Sequence, residues 1–214
     1  MQPFKKHRGI VATLDRANVD TDQIIPKQFL KSIARTGFGK SLFFDWRYLE
    51  DGTTPDPSFS LNESRFAGAT ILVTRNNFGC GSSREHAVWA IAQYGFAVVI
   101  APWEDHGDMR VPGFADIFRN NSVKNGILTL ELSTENVEEV FQKVSSNEGL
   151  EATVDLENQT ISLHAAEDVV FTFDIDPSVK DHLLRGLDDI SLTLEREGDI
   201  TKFEQDHNVQ LGSF

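Results

Sequence analysis

The chain has 214 residues, of which 33 are acidic and 20 are basic, so its formal net charge is −13. This length suffices for one hydrophobic core, and the charge would repel a phosphate backbone, which argues against a nucleic-acid-binding role. No apolar run reaches the length of a membrane span, and the basic N-terminus lacks the apolar core of a signal peptide. We therefore expect a cytoplasmic protein that consists of one domain over residues 1–214 and has no membrane partner.

The first 62 residues combine one strand with irregular segments. Residues 9–14 (GIVATL) predict a short strand, and residues 18–26 (NVDTDQIIP) predict a polar turn before a proline. The segment 27–46 begins with helical spacing and is interrupted by two glycines, and residues 50–62 are typical of a loop.

A βαβ unit is predicted next. Residues 69–74 (ATILVT) and 96–101 (FAVVIA) are the near-continuous apolar runs of strands that are buried on both faces. One helix lies between them, beginning near Ser82 and stopping at Gly95. This order predicts parallel strands that are joined by a right-handed crossover.

The rest of the chain alternates helices and strands, and then ends in helices. The predicted elements are a helix over 114–121, a strand over 126–132, a helix over 134–144 with Ser133 as its N-cap, a hairpin over 151–164, a strand over 169–175 and helical segments within about 177–207. The pattern is that of an α/β fold with a mixed sheet and flanking helices.

The segment from Asn76 to Gly95 (NNFGCGSSREHAVWAIAQYG) carries the strongest chemical signal. Ser82 and Glu85 match a capping box, which taken alone is a structural feature. Arg84 is different, because a cation opposes the positive end of a helix dipole unless an anion binds there. Free N–H groups, close glycines and a guanidinium together indicate a carboxylate site, since the sequence lacks the Walker lysine and the G-x-G-x-x-G pattern of nucleotide sites. The Ser82 hydroxyl could then act as a proton acceptor, which is a hypothesis.

Several motifs, among them residues 18–30 (NVDTDQIIPKQFL), 35–39 (RTGFG), 76–91 (NNFGCGSSREHAVWAI) and 114–118 (FADIF), resemble the 3-isopropylmalate dehydratase small subunits, a branch of the aconitase family. The similarity spans most of the chain, and the GSSREH block is its most specific part. It implies a swivelling β/β/α domain, as in the aconitase C-terminal domain. It further implies a lyase subunit of leucine biosynthesis that isomerises 2- and 3-isopropylmalate by dehydration and rehydration and is active only with a large subunit.

The resemblance also implies roles for individual residues. Ser82 falls on the position of the proton-transferring base, and Ser83 and Arg84 fall on positions that bind substrate carboxylate. Asp22 lies in a second signature at the mouth of the site, although an Asx turn explains the acidic pair Asp20 and Asp22 equally well. The Lewis acid is expected to be a [4Fe–4S] cluster on the large subunit of a heterodimer or larger complex, with no cofactor or metal bound by this chain. The single cysteine, Cys80, agrees with that division, because a cluster needs more ligands than one thiolate.

Some interpretations stay open. Residues 103–113 depart from the family pattern, and we expect them to form a surface loop although Glu104, Asp105, His106 and Asp108 resemble a metal site in composition. Phe29, Leu30 and Ile33 could cover an apolar substrate group or face the core, and Arg35 could meet a carboxylate or be a solvated surface residue. His86 is expected to brace its helix. Cys80 is expected to be incidental, although a thiol near a helix N-terminus could be somewhat reactive. Alternative functions are a related dehydratase acting on a homoaconitate-like or methylmalate-like diacid, or a non-catalytic binding module.

Overall fold

The computed structural model describes residues 1–31, 35–81, 84–107, 109–187 and 189–207, apart from the side chains of His106, Asp189, Leu192 and Asp206. Within these ranges the chain forms an eight-stranded sheet with helices packed around it. No helix among the described residues combines the length and the apolar character that crossing a bilayer requires.

The elements alternate along the chain as the sequence predicts. The strands are β1 (Lys6–Leu14), β2 (Ile71–Thr74), β3 (Val98–His106), β4 (Met109–Val111), β5 (Leu128–Ser133), β6 (Glu151–Asp155), β7 (Thr160–Leu163) and β8 (Val169–Thr172). The α-helices are α1 (Thr21–Ile24), α2 (Phe44–Arg47), α3 (Glu85–Tyr94), α4 (Asp116–Lys124), α5 (Thr134–Ser146), α6 (Pro177–Arg185), α7 (Asp189–Leu194) and α8 (Glu197–His207).

Strand β1 joins a parallel half of the sheet to an antiparallel half. Its first residues, Lys6 to Ile10, pair antiparallel with β6, and Val11 to Leu14 pair in parallel with β2. On one side β2, β3 and β5 follow in parallel, and on the other β6, β7 and β8 form an antiparallel meander. The prediction of a mixed α/β sheet is confirmed, and so is the βαβ unit of β2, α3 and β3.

The parallel half is the more deeply buried part of the sheet. All four residues of β2 are buried, and Val98 to Ala101 of β3 are buried as well. Helix α5 covers this half with Val137, Val140 and Val144, and its N-cap Ser133 accepts a hydrogen bond from the Asn136 amide, as predicted. Burial on both faces explains why these strands are apolar without alternation.

Two predicted segments have a different secondary structure from the one expected, although the predicted interruption at the glycines is present. The helical pattern at Lys27 continues only as a 3₁₀ helix, Lys27–Lys31, and a second 3₁₀ helix spans Phe38–Ser41. Between them Gly37 adopts a φ of 95°, which ends any regular helix. Of the apolar residues that begin this pattern, Phe29 and Leu30 pack against the core, and Ile33 lies outside the described residues.

The expected surface loop over residues 103–113 is largely a β-hairpin. Strand β3 continues to His106, and β4 returns antiparallel to it with Met109 opposite His106. Gly107 supplies a φ of 75° at the turn, and the guanidinium of Arg110 lies 4.3 Å from the ring centroid of Trp103 across the pair. The sequence did not predict this hairpin, because strands are recognised by alternating apolar and polar residues and the exposed residues of this hairpin are mostly polar.

Candidate active site

The candidate site is built where the chain leaves the carboxyl ends of β1 and β2. The two loops run side by side like a continuation of the parallel sheet. The Asn18 amide donates to the Asn76 carbonyl at 3.0 Å, the Gly79 amide to the Val19 carbonyl at 2.8 Å, and the Thr21 amide to the Cys80 carbonyl at 3.0 Å. Backbone hydrogen bonds alone therefore hold the two loops together. They lie at the edge of the sheet where open α/β folds bind ligands.

A third segment supports the same loop from its other side. The Phe78 amide donates to the Gly113 carbonyl at 2.9 Å, and the Ala115 amide donates to the Phe78 carbonyl at 3.2 Å. Gly79, with a φ of 77°, lies against the ring of Phe118, and a Cβ at Gly79 would come within 2.2 Å of that ring. The loop therefore approaches α4 as closely as only glycine allows.

Helix α1 holds Asp22 in place. The Asp20 carboxylate accepts hydrogen bonds from the amides of Asp22 (2.7 Å) and Gln23 (2.9 Å), and the Gln23 side chain accepts one from the Asp20 amide at 3.0 Å. This is a complete capping box. The Asx turn that the sequence suggested is present. It continues into the short helix α1, which the spacing of Asp20 and Gln23 could have predicted as a capping box.

The start of α3 differs from the prediction. In the described part of the chain the helix begins at Glu85 instead of near Ser82, and Arg84 holds the N-cap position with an extended backbone (φ −127°, ψ 137°) and no capping side-chain bond. The Glu85 side chain accepts instead from Asn125 at 3.2 Å. The predicted stop at Gly95 is confirmed, with the Gly95 amide donating to the carbonyls of Ala92 and Ile91.

Arg84, Asp22 and Lys27 form one charged cluster. Nη1 of Arg84 donates to Oδ1 of Asp22, and Nζ of Lys27 lies 3.2 Å from Oδ2 of the same carboxylate. The side chains of Arg84 and Asp22 remain 28% and 35% exposed, so a ligand can reach both. Burial acts to raise the pKa of Asp22, but the hydrogen bonds and positive charges of Lys27 and Arg84 outweigh it and lower that pKa overall.

The four residues predicted for the site have different outcomes. The structure brings Arg84 and Asp22 together, whereas Ser82 and Ser83 lie outside the described residues, between Gly81 and Arg84 in the sequence. The sequence reasoning missed Lys27, which joins the cluster from the start of the 3₁₀ helix Lys27–Lys31. No local pattern marks Lys27, since its partner is defined only by the fold.

Two neighbouring residues have structural explanations. The His86 ring packs edge-on against Phe38, with 5.2 Å between ring centroids, in agreement with a bracing role. Burial raises the pKa of the Cys80 thiol, the charge of Asp20 adds to the rise, and helix α3 begins only at Glu85, so the structure disfavours the reactive thiolate and agrees with an incidental cysteine.

The acidic residues and histidine within 104–108 do not form a metal site in the described part of the chain. Asp108 and the side chain of His106 lie outside that part, and within it no three His, Cys, Asp or Glu side chains lie close enough together to hold a metal ion.

Comparisons with known proteins agree with this architecture. Residues 1–135 match the profile of the aconitase C-terminal domain, and residues 138–177 match a second profile, described as LeuD_N. A crystal structure of 3-isopropylmalate dehydratase from Methanocaldococcus jannaschii superposes with a TM-score of 0.62 over 92% of this chain and 98% of that one. Its sequence identity is 22%, so this likeness establishes the fold alone, and the profile match over residues 1–135 identifies that fold as an aconitase C-terminal domain.

Curated relatives define the group more narrowly. Proteins named 3-isopropylmalate dehydratase small subunit are 56% identical over 95% of both chains in Desulforapulum autotrophicum, and 57% identical over 96% of this chain and 98% of the relative in Rhodopirellula baltica. One from Leptospira interrogans is 53% identical over 96% of this chain and 94% of its own. The chain belongs to the family of 3-isopropylmalate dehydratase small subunits.

Proposed function

We propose that this chain is the small subunit of a 3-isopropylmalate dehydratase, a hydro-lyase of leucine biosynthesis that interconverts 2- and 3-isopropylmalate. The observation that carries the proposal is the Arg84–Asp22–Lys27 cluster at the carboxyl edge of the parallel strands, in which Arg84 directly follows the GSS segment in the sequence. Nearly full-length identity above 50% to proteins of that name supports the same function.

The reaction needs a base, a carboxylate clamp and a means to release hydroxide. Ser82 is proposed as the base that removes the proton beside a carboxylate, and Ser83 and Arg84 as the groups that bind that carboxylate. The guanidinium of Arg84 can hold two carboxylate oxygens in parallel, and in the free chain Asp22 occupies one of its donors. Substrate carboxylate would therefore compete with Asp22 for Arg84, and Asp22 would shape the mouth of the site.

The hydroxide-releasing function is proposed to come from the partner subunit. The curated relatives are named small subunits, which implies a large one. In this proposal the large subunit carries a [4Fe–4S] cluster, which supplies Lewis-acid chemistry at the leaving hydroxyl. This chain offers the single thiol of Cys80, whose pKa is raised by burial, and that donor set does not fit a cluster of its own.

The proposal is tested by anaerobic turnover of 3-isopropylmalate, followed by the absorbance of the unsaturated intermediate. The assay compares this chain alone, the chain with the large subunit, and the chain carrying Ser82→Ala with the same subunit. We expect activity only in the mixture, and a loss of about 100-fold or more in Ser82→Ala, as for removal of a general base. Complex formation, followed by gel filtration, should not change.

Two controls separate the parts of the proposal. Ser146→Ala, at an exposed position in the last turn of α5, should keep full turnover. An inactive mixture that contains an intact cluster would contradict the substrate assignment, and other hydroxy-diacids of five to seven carbons would then be assayed. Full turnover by Ser82→Ala would contradict the role of Ser82 as base.

A further inference from the structure

A cavity lies at the far end of helix α3 from the candidate active site. It has a volume of about 530 Å³ and is lined by Thr36, Gly37, Gly39, Lys40, Arg47, Tyr48, Gln93 and Tyr94. A volume of this size is within the range of small-molecule sites. Arg84 stands at the N-terminus of α3 and Tyr94 at its C-terminus, so the helix length of roughly 15 Å separates the two places.

Arg47 is the unusual residue in this cavity. It is 5% exposed, yet its Nε and Nη2 atoms have no hydrogen-bond partner within the described part of the chain. Its guanidinium carbon lies 4.1 Å from the ring centroid of Tyr94, which holds the group in place through a cation–π contact. A buried guanidinium with unused donors is costly, because the protein has removed water without replacing its hydrogen bonds.

The charge of the lining points to the missing partner. Arg47 and Lys40 are cations, and among the described residues no acidic side chain lines the cavity. This is a local reversal in a chain whose net charge is −13. The rings of Tyr48 and Tyr94 supply apolar wall, and the Tyr48 and Thr36 hydroxyls can add hydrogen bonds.

The backbone of the cavity is fixed by the same helix. The Gln93 side chain accepts from the Phe38 amide at 2.8 Å and donates to the Arg35 carbonyl at 2.8 Å. Gly39 packs so closely that a Cβ would lie 2.5 Å from the Gln93 carbonyl oxygen. The wall therefore exists before any ligand binds, which lowers the entropy cost of binding.

We propose that this cavity binds a small organic carboxylate that has no ammonium group, with the carboxylate on the Arg47 guanidinium and Lys40, and the carbon skeleton against the tyrosine rings. The charge of the guanidinium attracts a carboxylate, and the buried Nε and Nη2 donors become available to it when the Arg47 side chain shifts towards the cavity. An ammonium group on the ligand would meet two cations and no counter-charge, so free amino acids are disfavoured. The site is independent of the proposed function, since it shares no residue with the Arg84–Asp22–Lys27 cluster.

The test is a titration of the full-length ¹⁵N-labelled chain with 4-methylpentanoate, followed by amide chemical shifts and by calorimetry. We expect saturable binding with a Kd of about 1 mM or tighter, and shift changes at Gly37 and Gly39 rather than at Gly79 and Gly81. The neutral 4-methylpentanamide and the ammonium-bearing L-leucine should each bind at least about tenfold more weakly. The amide lacks the negative charge that the two cations attract, and the ammonium group of leucine is repelled by them.

Variants locate the interaction. Lys40→Gln, at an exposed position, should weaken binding about threefold, and Arg47→Met about tenfold or more, whereas the exposed Lys202→Gln should leave it unchanged. Lys40→Gln keeps the test decisive if Arg47→Met fails to fold. Absence of saturable binding, equal binding of acid and amide, or shift changes confined to Gly79 and Gly81 would each overturn the proposal, the last by placing the carboxylate at the Arg84 cluster.

Discussion

Asp22 and Arg84 are 62 residues apart in the sequence and share a hydrogen-bonded ion pair in the fold. The pair joins helix α1 to the N-cap of α3, and Lys27 binds the second carboxylate oxygen of Asp22. A carboxylate is thus already present on the guanidinium that is proposed to receive the substrate. In the proposed mechanism this cluster is an exchange site, in which the substrate carboxylate replaces that of Asp22.

Replacing Arg84 by lysine should lower kcat/KM of the assembled enzyme by about 10–100-fold. Lysine keeps the charge but loses the planar fork, and a loss of one charged hydrogen bond accounts for this range. Steady-state assays with the large subunit measure the effect, with the exposed Arg196→Lys as the matched control. A value for Arg84→Lys within twofold of the parent would rule out a clamping role.

The pKa of Asp22 should depend on Lys27. Because the hydrogen bond and charge of Lys27 help to hold that pKa below its usual value of 3.8, Lys27→Gln should raise it. Carboxyl-carbon NMR titration of the free chain measures the shift directly. Lys31→Gln, an exposed change in the same 3₁₀ helix, should leave the titration where it is; equal shifts in both variants would show a general charge effect instead of a contact.

Gly79→Ala should destabilise the chain by about 2–4 kcal/mol. The added Cβ would lie 2.2 Å from the Phe118 ring, and the φ of 77° adds left-handed strain. Gly149→Ala is the matched control, because Gly149 has a φ of 67° with open space around it and should lose only about 1 kcal/mol. Urea unfolding of the two variants separates the steric contribution to the loss in unfolding free energy from the contribution of backbone strain. Similar losses in both variants would mean that the Phe118 ring moves aside.

Acid should remove a stabilising contribution of Asp155. The backbone amide of Asn158, the ammonium of Lys6 and the Asn158 side chain lower the pKa of Asp155 to about 2. A lowered folded-state pKa stabilises the fold above the unfolded value of about 3.9, and this contribution is lost as the pH falls towards 2.

We therefore expect Asp155→Asn to lower the free energy of unfolding at pH 7 by about 1–3 kcal/mol, and the difference to shrink between pH 4 and pH 2. Denaturant unfolding across that range tests it. The exposed Asp199→Asn should show no such trend. A constant difference for Asp155→Asn down to pH 2 would mean that the loss comes from packing and not from charge.

The sequence predicted those parts of the fold that local patterns determine. The apolar run of β2, the hairpin of β6 and β7, and α5 with its Ser133 cap each follow from neighbouring residues. The start of α3 was misplaced because Ser82 and Glu85 imitate a capping box, whereas Arg84 keeps an extended backbone while its side chain pairs with Asp22.

The candidate site was predictable only in part. Arg84 was identified from its place in the GSSREH block, and Asp22 from a turn signature. The sequence does not identify Lys27 or the cavity around Arg47, because both depend on contacts that only the fold creates. Lys27 pairs with Asp22 of α1, and Arg47 stacks on Tyr94 at the end of α3. Burial of a cation is a tertiary property that residue spacing does not encode.

The loops of the candidate site are hydrogen-bonded to each other as strands are, and this has a kinetic consequence. The amides of Thr21, Phe78 and Gly79 each donate to the neighbouring loop or to residue 113, so solvent deuterons can reach them only when these segments separate. Their exchange should be as slow as that of strand amides, although they lie outside every strand. Substrate capture by such a frame would proceed through side-chain rearrangement, with the hydrogen-bonded backbone of residues 18–21 and 76–80 staying in place.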